Sequence, residues 1–371
     1  MIKLLRGIIK KSKISENEMH QTDSELTIEA EDNHATAPFA QTDQTISLDE
    51  AIALYKPNFM PKQRKMDKES LKKCILYSVA LGDISGSRYE GSPYPGMSTS
   101  EIFAMRRTGE TYPIYDGWRD IDLFTEGHRF TDDTVLTIAI YKATQKLKED
   151  GIDDADLIVG VYSEYLKHYA RRYPDAGYAA GFEKWAMSET NDRNFSFGNG
   201  ACMRVGGIAI PCDKVEDVIR YAYYSALPSH GHNEGIKGAV CTAVIYWMLS
   251  FGATKDEVLR YIQKQYPSDN GQKINSSTTL DKLIDMNKLN PWSTLSVICQ
   301  TSLVEAVINF LESDSFESCL RNSYRYLCDR DTISAIAAPM ASIYYGDFSV
   351  SGISGEEIVK RYLDENLLNE L

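Results

Sequence analysis

Residues 234–250 read EGIKGAVCTAVIYWMLS. Apolar side chains fall on nearly every side of a helix here, whereas a surface helix keeps one polar face. Such a segment belongs inside a bundle, wrapped by other helices. Candidates for those others are present. DKESLKKCILYSVALGD (67–83) opens with acids in its first turn and carries an apolar stripe through Leu71, Ile75 and Val79. Helical spacing recurs in VLTIAIYKATQKLKED (135–150), DKVEDVIRYAYYSAL (213–227), SLVEAVINFLES (302–313), TISAIAAPMASIYYG (332–346) and GEEIVKRYLDENLL (355–368). No series of alternating strand runs and no internal repeat interrupts them. The expectation is one all-α domain of about 300 residues.

The 371-residue chain is 43% apolar with a formal charge of −13. Phosphate-backbone binding needs clustered cations, so a nucleic-acid partner is excluded. No apolar run approaches the roughly 20 residues that span a bilayer. The basic, amphipathic start MIKLLRGIIKK is interrupted by Lys3 and Arg6, with no small-residue cleavage site after it, which fits a helix better than a signal peptide. Seven cysteines without a C-x-x-C pair fit a reducing compartment. A cytoplasmic protein is expected.

Residues 12–48 are polar and acidic, with too little to bury to offset their ordering entropy. YKPNFMPKQRKMDKES (55–70) follows, with Pro57 and Pro61 interrupting any helix. The expected organisation is a flexible or partner-binding extension over residues 1–65 and a compact domain over 66–371.

Chemistry concentrates at helix starts and glycine loops. RFTDDTVLTIA (129–139) sets Thr131, Asp132 and Asp133 ahead of an apolar helix. Thr131 can cap the helix and both acids suit its dipole. The same three residues also offer oxygen ligands to a hard divalent cation. CDRDTISA (328–335) repeats the choice, with Asp329, Asp331 and Thr332 around Arg330. Two such starts can enclose one or two Mg²⁺ ions, or serve merely as caps and a local ion pair. Gly82 and Gly86 in GDISGSRYEG suit a helix end and a turn, leaving Glu90 on a loop. FGNGACMRVGGIAIP (197–211) lets backbone N–H groups at Gly198, Gly200, Gly206 and Gly207 approach an anion, or forms a tight inter-helix turn. YPDAGYAAGF (173–182) is a second glycine-spaced loop. In SHGHNEGIKGA (229–239), His232 reads as a cap or packing residue and His230 as a ligand donor. Zinc lacks a nearby further ligand.

In order, GDISGSRYE, RFTDDTVLT, YPDAGYAAGF, SFGNGACMRV, SHGHNEGIKGA and CDRDTISAIA followed by YYG resemble the loops of the ADP-ribosylglycohydrolase family, the dinitrogenase-reductase-activating type, from about Leu71 to Gly346. The resemblance implies an orthogonal all-α fold and a binuclear Mg²⁺ or Mn²⁺ centre in a cleft. Its metal ligands fall on Thr131, Asp132, Asp133, Asp329, Asp331 and Thr332. Its acidic loop residue falls on Glu90, which with Asp132 and Asp133 makes the catalytic set. Its ADP-ribose loops fall on Gly177, Tyr178 and Gly181, on Ser196, Phe197, Gly198, Asn199 and Gly200, and on His230; Asp175 is a further candidate. The implied activity is Mg²⁺-dependent hydrolysis of the N-glycosidic bond joining mono-ADP-ribose to a protein side chain, with arginine the expected linkage. The alternative is a binding protein without turnover. Leu327, Cys328 and Arg330 depart from the family pattern, and Arg330 is expected to project from the metals towards the cleft rim or a neighbouring acid. Bacterial relatives that act as immunity proteins suggest a cognate ADP-ribosyltransferase toxin as partner, its cleft filled by the arm that bears Phe39, Tyr55 and Phe59.

Overall fold

The computed structural model describes residues 45–89, 116–190, 192–266, 297–326 and 328–371. Its regular elements are helices: α1 (Leu48–Tyr55), α2 (Lys68–Ser87), α3 (Asp132–Glu149), α4 (Ala155–Arg172), α5 (Ala180–Met187), α6 (Gly200–Met203), α7 (Val215–Ala226), α8 (Asn233–Ser250), α9 (Lys255–Gln265), α10 (Cys299–Leu311), α11 (Phe316–Asn322), α12 (Arg330–Tyr345), α13 (Gly355–Val359) and α14 (Glu365–Leu368). Among the described residues β structure is limited to isolated bridges, Phe195–His230, Gly198–Ile298 and Val350–Ile353.

The opening stretch forms α8, buried from Gly238 through Ser250 and covered by α7, α10, α12 and α6. Beside it α12 packs along α2 more extensively than any other pair packs. The α2–α12 pair and α8 therefore form the centre of the bundle, and α3, seated on α2, carries α4 outward.

Among the helices absent from the sequence reading, α4 and α9 carry ordinary start signals. Asp154 accepts from the Leu157 N–H, and Thr254 and Glu257 form a reciprocal cap. GEEIVKRYLDENLL, read as one helix, is two short ones, because Asp364 caps a fresh start at Glu365.

The compact unit runs from Ser47 to Leu371. Residues 47–65, expected in the extension, thus belong to the body. Ala51 and Tyr55 of α1 are buried, and α1 packs on α7 and α8. The Tyr261 hydroxyl donates to the Tyr55 carbonyl (2.9 Å), the Phe59 ring meets Trp247 edge-on, and Arg64 donates to the Cys212 carbonyl (2.8 Å). Two of the three aromatics offered to a toxin cleft are therefore packed against the body; Phe39 lies outside the described residues. All seven cysteines are free and buried. No helix among the described residues is long and apolar enough to cross a membrane.

Candidate metal centre and substrate loops

Gly82-Asp83 does not end α2, which runs on to Ser87. Its two glycines instead let α2 touch the backbone of α12. A Cβ on Gly82 would lie 2.5 Å from the carbonyl carbon of Ser334, and one on Gly86 would lie 2.6 Å from that of Arg330. This approach sets Asp83 beside the first turn of α12.

Sequence reasoning missed Asp83, which is fully buried. Its Oδ2 accepts from the backbone N–H of Thr131 (2.8 Å) and Thr134 (3.1 Å) and from the Thr134 hydroxyl. Its Oδ1 accepts from the Thr131 hydroxyl (2.7 Å). The amides at a helix start lack partners within the helix, so Asp83 caps α3 from another helix. Thr131 holds the cap position without making a side-chain cap bond. Burial pushes Asp83 up to about 6, opposed by the hydrogen bonds from Thr134 and Thr131. The signal available in the sequence was an acid set among the apolar residues of α2.

Carboxylate oxygens of Asp83, Asp133 and Asp331, all buried, lie within 4.8 Å of one another. The Thr131 and Thr332 hydroxyls each stand 3.3 Å from Asp133 Oδ2. Asp132 and Asp329 are half-buried beside them. Asp329 caps α12 from outside the helix, while Asp331 and Thr332 occupy its first turn. Only Asp329 thus has the non-helical backbone that lets i and i+2 carboxylates face together.

Three buried carboxylates so close together repel when ionised, and a cation relieves that cost. Oxygen donors without nitrogen or sulfur suit Mg²⁺ or Mn²⁺, so these residues fit the metal that the resemblance implies. A carboxylate offers about four lone-pair sites, and four donors already occupy Asp83. Three of those donors share Oδ2 and one sits on Oδ1, so Asp83 orients the TDDT turn, and Asp83, Asp133 and Asp331 together are the buried ligand candidates.

The glycine loops converge on this cluster. The Asp132 N–H donates to the Ala176 carbonyl (2.9 Å), which ties YPDAG to TDDT. There Gly177 adopts φ +97°, open to glycine, and the Tyr178 ring is buried. Asp175 is exposed, with its carbonyl accepting from Arg129 (2.7 Å). Gly181 is exposed, with nothing within 4 Å of a Cβ placed on it. Asn199 Nδ2 donates to Asp329 Oδ2 (2.6 Å) and to Ser302 Oγ (3.2 Å), which joins FGNG to CDRDT. Ser196 Oγ accepts from the Gly198 N–H (3.0 Å), and the Phe197 ring is 44% exposed, so one aromatic face beside the loop meets solvent. The His230 ring lies under Gly200, whose Cβ would come 3.1 Å from its Nε2. His232 caps α8, its Nδ1 accepting from the Glu234 N–H (3.1 Å), which uses the nitrogen a zinc ion would need. Gly206 and Gly207 serve packing rather than an anion, since Cβ atoms there would meet Ile75 and Tyr141. Glu90 lies outside the described residues, as does Leu327.

The ADP-ribosylglycohydrolase family profile matches residues 67–352. This chain belongs to the ADP-ribosylglycohydrolase family. ADP-ribosylhydrolase ARH3 of Mus musculus is 29% identical over 197 residues, covering 49% of this chain and 50% of that protein. Its Homo sapiens counterpart is 28% identical over the same shares. The chain therefore spans about half the length of these curated relatives. The Xenopus tropicalis counterpart is 24% identical over 319 residues, 73% of this chain and 86% of that protein. Among solved structures, an ADP-ribosylglycohydrolase-related protein complex aligns with a TM-score of 0.53 and 19% identity, over 82% of this chain and 96% of that one. It shares the all-α fold.

In this chain Arg330 is buried rather than at a rim. Its Nε donates to the Ser323 carbonyl (3.1 Å) and its Nη2 to that of Tyr326 (3.3 Å). The guanidinium lies 4.7 Å from the Tyr324 ring centroid. It thus braces the turn ahead of α12, a packing role that no local reading of D-R-D supplies.

Proposed function

We propose that this chain is a divalent-metal-dependent hydrolase that releases ADP-ribose from modified protein side chains, with arginine the first linkage to test. The observation that carries this reading is the buried acidic cluster of α2, α3 and α12 with the Asn199 loop hydrogen-bonded to its edge. An acidic protein holds a polyanion through metal and backbone donors rather than lysines.

Asp133 and Asp331, with Thr131 and Thr332, would hold Mg²⁺ or Mn²⁺; two ions are proposed. When bound, the metal supplies Lewis-acid polarisation, which favours an attacking water and fixes ribose hydroxyls. Asp132 and Asp329, on the more open side, stabilise positive charge as the glycosidic bond breaks through an oxocarbenium-like transition state. His230 and the Gly200 turn above it take the diphosphate, and the exposed Phe197 ring offers a stacking face for the base. Glu90 is proposed to move protons.

The test incubates arginine- and serine-linked ADP-ribosylated proteins with the full chain and Mg²⁺, with and without chelator. Chelator-sensitive release of free ADP-ribose, lost in Asp132→Ala, is expected. Binding without release would favour the non-catalytic reading, and AMP as product would indicate cleavage of the diphosphate. A toxin-directed immunity role has no observation in its favour here.

A further inference from the structure

Behind the glycine loop stands a completely buried cation. Arg204, which ends α6, is 0% exposed, with its Nη2 donating to the Ser225 carbonyl (3.0 Å) and to Ser229 Oγ (2.9 Å). Its Nε and Nη1 have no partner among the described residues. On the other side of the Ser229 hydroxyl lies His230 Nδ1, 2.8 Å away. A guanidinium only donates, so Ser229 Oγ must accept from Arg204. The hydroxyl hydrogen then has one acceptor among the described residues, His230 Nδ1. An imidazole that accepts at Nδ1 is neutral and carries its proton on Nε2. That nitrogen lies against the glycine loop, 3.7 Å and 3.1 Å from where Cβ atoms on Gly198 and Gly200 would stand. Burial, then the charge of Arg204, pushes the imidazole well below its ordinary pKa, in keeping with a neutral ring.

We propose that Arg204 and Ser229 are positioning residues that lock His230 in its Nε2–H tautomer, so that the ring presents a hydrogen-bond donor to the diphosphate of ADP-ribose at the Gly198–Gly200 loop. The identity of the ligand rests on the function proposed above; the tautomer does not. Two unpartnered guanidinium nitrogens in the interior are costly. The placement of Arg204 beneath an anion-binding loop gives that buried charge a use: it offsets the substrate's charge from below while the histidine supplies direction.

The tautomer can be read directly. The full chain is labelled with ¹⁵N-histidine, and long-range proton–nitrogen correlation at neutral pH reports each ring nitrogen; His230→Gln assigns the signals. The expected result is an unprotonated Nδ1 and a protonated Nε2. Ser229→Ala should shift the population towards the Nδ1–H form and weaken binding of ADP-ribose, measured by calorimetry, about tenfold. Ser229→Thr, which keeps the hydroxyl, should restore both. A doubly protonated ring, a wild-type Nδ1–H tautomer, or a tautomer unchanged in Ser229→Ala would overturn the proposal. The wild-type spectrum alone decides the matter if Ser229→Ala fails to fold. The expected tautomer in a chain that binds no ADP-ribose would uphold the relay and overturn the ADP-ribose reading instead.

Discussion

Gly86→Ala sets two effects against each other. Gly86 lies in the last turn of α2, where alanine would ordinarily gain up to about 1 kcal/mol in helix propensity. The added Cβ would sit 2.6 Å from the Arg330 carbonyl carbon, and closer still to the Asp331 backbone. Ordinary contact begins at 3.4 Å, so the helices must part by at least about 0.8 Å (3.4 − 2.6). Both sides are backbone, so no rotamer change relieves the clash. Overpacking costs about 1–3 kcal/mol, which outweighs the propensity gain, and a lower melting temperature follows. The same displacement carries Asp331 away from Asp133. Metal–ligand distances tolerate about 0.2 Å, so affinity for Mn²⁺ should fall at least about tenfold, or ~1.4 kcal/mol. Thermal melts in chelator measure the first effect and calorimetric Mn²⁺ titration the second. Gly160→Ala is the control: nothing lies within 4 Å of its Cβ, and it should be neutral or stabilising by about 0.5–1 kcal/mol. A Gly86→Ala protein with wild-type stability and wild-type Mn²⁺ affinity would refute the reasoning.

Asp83→Asn turns one acceptor towards the Thr131 and Thr134 donors into an N–H₂ group, and each buried donor left unsatisfied costs about 1–3 kcal/mol. Denaturant unfolding should show that loss, and Mn²⁺ affinity should drop as the TDDT turn shifts; unchanged affinity would sink its orienting role. Arg330→Ser strips the donors from the Ser323 and Tyr326 carbonyls and empties the space beside Tyr324, for a loss of about 2–5 kcal/mol; a variant as stable as wild type would show that Arg330 does not brace the turn. Glu305 is buried, and burial followed by the charge of Asp329 pushes its carboxyl well above the ordinary value. A raised folded-state pKa means that the stabilisation is complete below the unfolded value and is lost as pH rises towards the folded one. Melting of the metal-free protein should therefore fall as pH climbs above the ordinary glutamate range, less steeply in Glu305→Gln; identical slopes would contradict this.

Much of the fold was legible because burial writes itself into composition. Residues 234–250 have too few polar positions for any wet face, and the helix they form is buried at α8. Amphipathic helices with local caps, such as α4 and α9, were equally encoded in Asp154 and in Thr254 with Glu257. The misreading at Gly82 has a physical source. Glycine ends helices when the chain needs a left-handed residue, as Gly346 does after α12 at φ +71°. It also sits inside helices where two backbones touch, and local sequence does not separate the two cases. Arg330 is similar: beside two aspartates it suggested an ion pair, yet its guanidinium donates to carbonyls of the preceding turn.

By itself the sequence determined the long buried helices of the centre and that carboxylates and hydroxyls stand at two helix starts. Family motifs in order then assigned them a chemistry. The tertiary structure decided which of those acids meet. The Thr332 hydroxyl reaches Asp133 across 199 positions of chain, and Asp83 caps α3 from 48 positions upstream of Thr131. A helix start must satisfy its free amides, but nothing local dictates which residue does so. When Asp83 takes that task, Thr131 is left beside Asp133, and the TDDT turn can face a cation rather than its own backbone.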